Sequence, residues 1–354
     1  MKIIHCADIH IGSALQNISA EKSKIRKREI VDTFIRMLDY AGELSVDVVV
    51  IAGDLFDFRK IARQIRKEVL QAIATHPSIS FLYLTGNHDY QLVFDDGDLL
   101  MPDNLFLFDE PSWQYYHYNR VCIGGIDISQ QTGYGFYEQL RFDKDKFNIA
   151  VMHGSLQKIQ LERLRGKHID YLALGDIHQP DIDAKKLDMR GIYGYSGCLE
   201  GRGYDEVGER GFVLLEINNG KLNRKFVPFA KRQYFLVEVD ITGLDTHTKI
   251  DNIIQSKTRG IDKENIVKVE LVGKRNADTQ IERENLELKL KERFFDGKVK
   301  DNSILDMASV NFDNEISLHS EFIKLVQDSD LDGTQKDRVV EYGIKALLGE
   351  AIDL

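Results

Sequence analysis

The sequence of 354 residues contains no apolar run that approaches the ~18 residues a membrane-spanning segment needs. Its first ten residues, MKIIHCADIH, also lack the long apolar segment and the small-residue cleavage site of a secretory signal peptide. These absences argue against an integral membrane protein and against export. We therefore expect a cytoplasmic protein.

Cysteine and proline are also scarce. The three cysteines, Cys6, Cys122 and Cys198, are scattered without CxxC spacing, so neither a disulfide framework nor a zinc-thiolate site is indicated. We expect all three to be small apolar core residues. With only five prolines, no low-complexity linker and no internal repeat, composition does not mark the domain boundaries.

The formal net charge of −10 argues against a protein that coats nucleic acid by bulk electrostatics. Two stretches are locally basic: KSKIRKRE near the first predicted helix, and residues 257–300, with 12 Lys and Arg against 9 Asp and Glu. Each is either a polyanion contact or a solvated helix face, and solvated faces are the commoner case. Both interpretations stay open.

What the chain does contain is ordinary globular composition, 43% hydrophobic and 29% charged. Residues 1–230 repeat one pattern, an apolar run that ends in polar residues and is often followed by helical periodicity. The runs are KIIHCAD, VDVVVIAGD, ISFLYLTGN, VCIGGID, FNIAVMHG, YLALGD, GIYGYSG and GFVLLEI. Near-continuous β-branched runs separated by helices predict an α/β fold whose strands are buried on both faces.

Further along the chain the pattern changes. Residues 231–315 contain the alternating runs YFLVEVDI and IVKVELVG around a polar helical stretch, which predicts a smaller α+β domain. Residues 316–354 are predicted to be an amphipathic helical tail, because their apolar residues keep helical spacing: Phe322, Leu325, Val326, Val340, Ile344, Leu347 and Leu348.

Polar side chains recur where the early strands end. In open α/β sheets such side chains converge on one crevice. They are Asp8, His10, Asp54, Asp57, Asn87, His88, His153, Asp176 and His178. A lone DxH, GD or GNHD is usually a capped turn, and a lone histidine such as His153 is usually a core residue. Their joint occurrence favours a metal site.

The chemistry of these side chains indicates the kind of metal. Carboxylate, imidazole and amide ligands without cysteine suit Mn²⁺, Fe²⁺ or Zn²⁺. More ligands are present than one ion needs, and two ions ~3.5–4 Å apart, bridged by one carboxylate, would use them all. Such a pair can clamp a phosphoryl group and activate water as the nucleophile.

This motif set resembles the calcineurin-like metallophosphoesterase superfamily, whose pattern runs DxH, GDxxD, GNHD/E, an isolated His and then GHxH. The resemblance spans residues 1–215. Within the superfamily, the stretches MKIIHCADIHIGS, GDLFD and YSGCLEGRGYDEVGERGF are similar to DNA repair nucleases of the SbcD and YhaO type. The resemblance implies a two-sheet β-sandwich flanked by helices, followed by a smaller α+β cap domain.

The resemblance also implies roles for individual residues. One metal is held by Asp8, His10, Asp54 and His178, and the second by Asn87, His153 and Asp176, with Asp54 as the bridge. His88 is not a ligand but faces the phosphate as general acid or charge stabiliser. Asp57 orients it, since an imidazole needs a partner to fix its tautomer.

Two departures from the family pattern matter. This chain reads GDIH where the family has GHxH, so Asp176 replaces a histidine at the second metal. Carboxylate is a good ligand for Mn²⁺ or Mg²⁺, so the site either prefers harder metals or is weakened. The loop FRKIARQIR also lacks the proline and the histidine found there in some family nucleases, so duplex handling is expected to differ.

Together these observations predict a DNA nuclease with two divalent ions, Mn²⁺ first and Mg²⁺, Fe²⁺ or Zn²⁺ as alternatives. The expected reaction is 3′-to-5′ exonuclease or single-strand endonuclease cleavage in double-strand break repair. The expected partners are DNA and an SbcC-like ATPase docked on the tail, whose apolar stripes alternatively pack back onto the cap; a homodimer stays open. Two alternatives remain: a stand-alone phosphodiesterase or phosphatase, and a scaffold for an ATPase partner whose metal site has weakened at Asp176.

Overall fold

A computed structural model describes residues 1–15, 18–57, 61–86, 100–131, 133–276, 279–306 and 318–347. The chain divides into two compact units, Met1–Tyr234 and Phe235–Leu354. Across the described ranges, none of the helices is both long enough and apolar enough to cross a membrane.

The first unit contains two six-stranded sheets. In spatial order the strands of the first sheet are β12 (Lys221–Pro228), β11 (Gly211–Asn218), β1 (Lys2–Cys6), β2 (Val48–Ala52), β3 (Ser80–Leu84) and β4 (Leu105–Phe108). This sheet is mixed, because β1 to β4 run parallel to one another whereas β11 is antiparallel to both β1 and β12.

The second sheet has parallel strands in its interior and antiparallel strands at its two edges. In spatial order these are β5 (Gln114–Tyr118), β6 (Val121–Gly125), β7 (Phe147–His153), β8 (Tyr171–Gly175), β10 (Ile192–Tyr195) and β9 (Lys185–Lys186). The expected two-sheet α/β sandwich is confirmed.

All eight apolar runs recognised in residues 1–230 are interior strands of these sheets. The strands that the sequence pattern missed, β4, β5, β9 and β12, are the four edge strands. An edge strand has a neighbour on one side only and buries less surface, so its sequence need not be continuously apolar. In β12, for example, only Phe226 is buried.

Helices cover the outer faces of the sandwich. Their bounds are α1 (Ala20–Glu43), α2 (Arg63–Ala74), α3 (Gly135–Gln139) and α4 (Leu161–Leu164), with a 3₁₀ turn at Ile128–Gln130. The side chain of Ser19 caps α1 by accepting a hydrogen bond from the Lys22 amide, and Phe34, Met37 and Leu38 lie on its buried face.

The apolar core lies in three layers that match this architecture. The central layer joins residues of both sheets, such as Val50 and Leu82 from the first and Ile149 and Val151 from the second. A second layer packs α1 and α2 on the first sheet, and a third packs α3 and α4 on the second sheet. Each fully buried aliphatic side chain contributes about 1.5–3 kcal/mol to the stability of the sandwich.

In the basic stretch KSKIRKRE, Arg26 is neither a polyanion contact nor part of a solvated helix face. Arg26 is fully buried rather than solvated, and its guanidinium pairs with Glu200 at 2.8 Å and with Glu29 at 2.6 Å. It is therefore a structural ion-pair residue that no polyanion can reach. The cysteines follow the expectation, since all three are free and buried.

The second unit is built on a small sheet whose strand order is β13 (Tyr234–Asp240), β14 (Ile266–Val272) and β16 (Asp296–Asp301). Two helices, α5 (His247–Lys257) and α6 (Arg283–Arg293), contribute Ile250, Ile254, Leu286 and Leu290 to its core. The remaining elements are β15 (Lys274–Arg275), β17 (Ile304–Leu305), α7 (Leu318–Gln327) and α8 (Gly333–Leu347).

Candidate metal centre

The backbone brings the first three predicted ligands to one edge of the first sheet. The segments that follow β1 and β2 continue the parallel pairing of those strands, because the Asp8 amide donates to the Gly53 carbonyl at 3.1 Å and the His10 amide donates to the Asp54 carbonyl at 2.9 Å. Asp8, His10 and Asp54 are consequently adjacent, and all three are buried.

The backbone at these positions is strained. Asp8, His10 and Asp54 have φ of 52°, 50° and 52°, and Asp176 has φ of 98°. A left-handed conformation costs a non-glycine residue on the order of 1–3 kcal/mol and persists only where the surrounding structure enforces it. Such residues cluster at functional sites, which marks this edge of the sandwich as one.

Side chains from both sheets meet at this edge. The Nε2 atoms of His10 and His178 lie 3.2 Å apart, and Asp54 Oδ2 lies 3.6 Å from His10 Nε2 and 3.4 Å from His153 Nε2. Among the described residues, two groups have ligand atoms within 4.8 Å of one another: Asp8, His10 and His178, and Asp8, Asp54 and His153. Asp8 belongs to both groups, and Asp54 lies between two histidines.

Small residues make this approach possible. A Cβ atom at Gly53, where φ is 99°, would lie 2.0 Å from His153 Nδ1, and one at Gly86 would lie 2.1 Å from Asp54 Oδ1. These glycines let side chains from neighbouring strands reach the same space. The His153 ring is fixed by its Nδ1 atom, which lies 2.9 Å from the Ala52 carbonyl oxygen.

The charges of the site favour a bound cation. Burial raises the pKa of Asp8 to about 6, and the nearby carboxylate of Asp54 adds to this rise. Burial alone would lower the pKa of His153, but its hydrogen bond with Asp54 and the charges of Asp8 and Asp54 raise that pKa to about 9. The site thus holds buried carboxylates whose negative charge is costly to bury, and imidazole nitrogens lie beside them. Carboxylate oxygens and imidazole nitrogens together form a donor set that fits divalent cations.

Asp176 lies beside this cluster rather than inside either group. Its amide donates to both carboxylate oxygens of Asp8 at 3.1 Å, and its Oδ1 atom lies 3.9 Å from His153 Nε2. Its carboxylate is on the His153 side of the site, where the family resemblance implies the second metal. Its role as a ligand stays a prediction.

The roles of three further predicted site residues stay untested. Asn87 and His88 lie outside the described residues, so their predicted roles rest on the sequence. The amide of Asp57 donates to the Ile11 carbonyl at 2.9 Å, which anchors the segment after Asp54, but its carboxylate belongs to neither group. That Asp57 orients His88 therefore also stays a prediction.

A pocket of about 270 Å³ adjoins the cluster on the His153 side. Its lining mixes polar and aromatic side chains, including Asp127, Ser129, Tyr134 and Lys158. At the low end of the size range of ligand sites, it offers space for a small part of a substrate next to the candidate metal ligands.

Two residues at the site, Arg202 and Glu206, were not predicted from the sequence. Both lie in the stretch YSGCLEGRGYDEVGERGF. Glu206 Oε1 lies 2.6 Å from His178 Nδ1, and Arg202 forms an ion pair with Glu206 at 2.8 Å. Burial would raise the pKa of Glu206, but His178 and Arg202 hold it well below its usual range. The sequence signal that could have identified Arg202 and Glu206 is their position within this family-like stretch.

Comparison with known proteins identifies a matching family and several relatives of this chain. Residues 1–183 match the family described as Calcineurin-like phosphoesterase. The chain is 25% identical over 283 residues to the uncharacterized metallophosphoesterase YhaO of Bacillus subtilis, covering 72% of this chain and 67% of the relative. It is 26% identical over 290 residues to a component of the nuclease SbcCD of Staphylococcus saprophyticus, covering 67% of this chain and 72% of that one.

A third relative is the DNA double-strand break repair protein Mre11 of Methanopyrus kandleri, 25% identical over 284 residues. The match covers 68% of this chain but only 59% of that relative. The chain therefore spans little more than half the length of this relative.

Proposed function

Since the chain belongs to the calcineurin-like phosphoesterase family, we propose that it is a cytoplasmic, metal-dependent nuclease that hydrolyses phosphodiester bonds of DNA in double-strand break repair. The members of this family are metallophosphoesterase hydrolases with a dinuclear metal site. The choice of DNA as substrate is supported by the relatives named as part of a nuclease and as a repair protein.

The observation that carries this proposal is the convergence of Asp8, His10, Asp54, His153 and His178 at one edge of the sandwich. Asp8, His10, Asp54 and His178 would hold one ion, and Asn87, His153 and Asp176 would hold the other, with Asp54 shared by both. The ions would supply Lewis acidity and neutralise the phosphate charge. We propose Mn²⁺ first, with Mg²⁺, Fe²⁺ and Zn²⁺ as alternatives.

The protein groups then have separate tasks. Asp54, between His10 and His153, is proposed to join the two ligand groups. His88, oriented by Asp57, is proposed to donate a proton to the leaving oxygen or to stabilise its charge. The pocket lined by Tyr134 and Lys158 would receive the part of the substrate next to the scissile phosphate.

We propose that residues 231–315 act as a cap that contacts the DNA backbone. A groove of about 540 Å³ between α5 and α6 supports this, because Arg259 and Arg293 line it, whereas Lys289 is paired with the single acidic lining residue, Asp251, at 2.6 Å. Phosphate contacts of this kind position a strand without reading its sequence. They suit an enzyme that acts on many sequences.

The helical tail is proposed to dock an SbcC-like ATPase. Helices α7 and α8 bury Ile323, Val326 and Val340 against each other, and Leu305 of β17 packs beside them. Leu325 nevertheless keeps 73% of its surface exposed.

A Leu325→Glu variant should lose ATPase binding, whereas Gln327→Glu, a change at a neighbouring exposed residue, should not. A chain truncated after Asn314 that stays folded and still binds the ATPase would contradict this proposal.

One experiment tests the nuclease proposal directly. Purified protein is incubated with labelled single-stranded and duplex DNA in Mn²⁺, in Mg²⁺ and in chelator, alongside the His88→Ala variant and a small chromogenic phosphodiester. Metal-dependent DNA cleavage that is lost in the variant supports the proposal. Cleavage of the small ester but not of DNA would support a stand-alone phosphodiesterase, and inactivity in every metal would support a scaffold.

A further inference from the structure

The stretch YSGCLEGRGYDEVGERGF contacts His178 at the ring nitrogen that faces away from His10. Glu206 Oε1 lies 2.6 Å from His178 Nδ1, and the side chain of Glu206 is only 6% exposed. The stretch is tied to the same residue by its backbone, since the Cys198 amide donates to the His178 carbonyl at 3.0 Å. His178 is thus held at both its ring and its main chain.

Arg202 completes this arrangement. Its Nη2 atom lies 2.8 Å from Glu206 Oε1, 2.9 Å from His178 Nδ1 and 3.4 Å from His178 Nε2, and its amide donates to Glu206 Oε2 at 2.7 Å. A guanidinium only donates hydrogen bonds, and the same carboxylate oxygen can accept from both Arg202 and the ring N–H. The short distance between Nη2 and Nδ1 then follows from two donors that share one acceptor.

The Glu206 carboxylate only accepts hydrogen bonds, so its 2.6 Å contact favours a proton on His178 Nδ1. If Nδ1 donates to Glu206, the lone pair of the neutral ring is on Nε2, the atom that lies 3.2 Å from His10 Nε2 in the metal cluster. A histidine that binds a metal typically donates its other N–H to such a carboxylate or carbonyl, and losing that partner weakens metal binding by about 10–100-fold.

We propose that Glu206 is a positioning residue that fixes the tautomer and the ring orientation of His178, and that Arg202 holds Glu206 in place. This inference rests on the proposed two-metal function. It gives the stretch around Glu206 a specific role: it supports a metal ligand, although it supplies none itself. The stretch is anchored elsewhere by Glu200, whose carboxylate is paired with the buried Arg26.

Calorimetric titration of the full chain with Mn²⁺ tests the inference. Glu206→Ala removes the acceptor, and Glu206→Gln keeps an acceptor oxygen without the charge. We expect Glu206→Ala to weaken one of the two Mn²⁺-binding steps by about 10–100-fold and Glu206→Gln to weaken it less. Glu209→Gln is the matched control, because Glu209 lies three residues away with an exposed side chain, and it should bind Mn²⁺ as the wild type does.

A second measurement does not depend on metal. Nitrogen-15 NMR of the metal-free protein, with the His178 signal identified by its loss in His178→Gln, should show the Nδ1–H tautomer in the wild type and a shift toward Nε2–H in Glu206→Ala. An unchanged tautomer together with unchanged Mn²⁺ affinity would overturn the inference. A wild-type chain that binds no Mn²⁺ would overturn the proposed function instead, and the tautomer would still decide the role of Glu206.

Discussion

The Nε2 atoms of His10 and His178 lie 3.2 Å apart, although 168 positions separate the two residues in the sequence. His10 follows β1 of the first sheet and His178 follows β8 of the second. The candidate site is therefore shared by two sheets, and its geometry depends on how the sandwich packs.

Asp54→Ala is expected to remove both metal ions. Asp54 Oδ2 lies 3.6 Å from His10 Nε2 and 3.4 Å from His153 Nε2, so the variant loses the carboxylate oxygen between one histidine of each ligand group. Metal content after dialysis, measured by atomic emission, checks this. Asp57→Ala is the control, because its carboxylate belongs to neither group, and it should keep the wild-type metal content.

His88→Ala is expected to keep both metal ions and to lose hydrolysis. Its imidazole is predicted to act on the phosphate rather than on the ions, so hydrolysis should fall by about 10²–10⁴-fold while the metal content is unchanged. Initial rates on a chromogenic phosphodiester and metal analysis of the same preparation check both parts. A variant that purifies with half its metal would show that His88 is a ligand.

Asp176→His is expected to change the metal preference. Asp176 Oδ1 lies 3.9 Å from His153 Nε2, within the region assigned to the second ion. Carboxylate oxygen favours hard cations, whereas imidazole favours Zn²⁺, so the variant should bind Zn²⁺ more tightly relative to Mn²⁺ than the wild type does. Competitive calorimetry with the two ions measures this ratio.

Asp176→Ala completes the comparison by removing the carboxylate without adding a ring. We expect weaker binding at the second site. Equal stoichiometry and affinity in the wild type and in both variants would show that the Asp176 carboxylate takes no part in metal binding.

Arg26→Met is expected to destabilise the first unit. Its guanidinium is fully buried and pairs with Glu200 at 2.8 Å, so the change leaves a buried carboxylate without its partner, at a cost of about 3–5 kcal/mol. For a unit of this size the melting temperature should fall by roughly 6–20 °C. The fluorescence of Trp113, the single tryptophan, reports on this unit.

Arg28→Met is the matched control for this prediction. Arg28 also forms ion pairs, with Asp32 and Glu68, but about half of its side chain is exposed. Water screens such pairs, and each contributes about 0–1 kcal/mol. An equal loss of stability in both variants would contradict the assignment of Arg26 as the buried structural residue.

His5 is expected to make stability depend on pH. Burial, together with the charge of Arg224, lowers its pKa to about 3, whereas an unfolded histidine takes up a proton near pH 6.5. The stability that neutral His5 contributes is therefore complete above pH 6.5 and is lost as the pH falls toward 3. Between pH 7 and pH 4 the loss is on the order of 3 kcal/mol.

Urea unfolding at pH 7 and pH 4 in chelator, followed by Trp113 fluorescence, measures this effect. In His5→Gln the difference in unfolding free energy between the two pH values should be smaller than in the wild type by that amount. His117→Gln should leave it unchanged, since His117 is exposed. A wild-type difference that survives in His5→Gln would assign the pH dependence to other groups.

The sequence alone determined the interior of the fold and the chemistry of the site. Interior strands are buried on both faces, so their continuous apolar runs are visible in the sequence, and polar residues that follow such runs must lie at one edge of a sheet. The sequence alone therefore identifies Asp8, His10, Asp54, His153 and His178 as candidate metal ligands.

The tertiary structure decided what depends on contacts between distant segments. The edge strands β4, β5, β9 and β12 are fixed by pairing with a neighbour rather than by their own apolar pattern. The burial of Arg26 depends on Glu200, 174 residues away, and the contact of Glu206 with His178 depends on a return of the chain across 28 residues. Local patterns do not encode such pairings, because burial and charge compensation arise only when the sheets and the segments between them pack together.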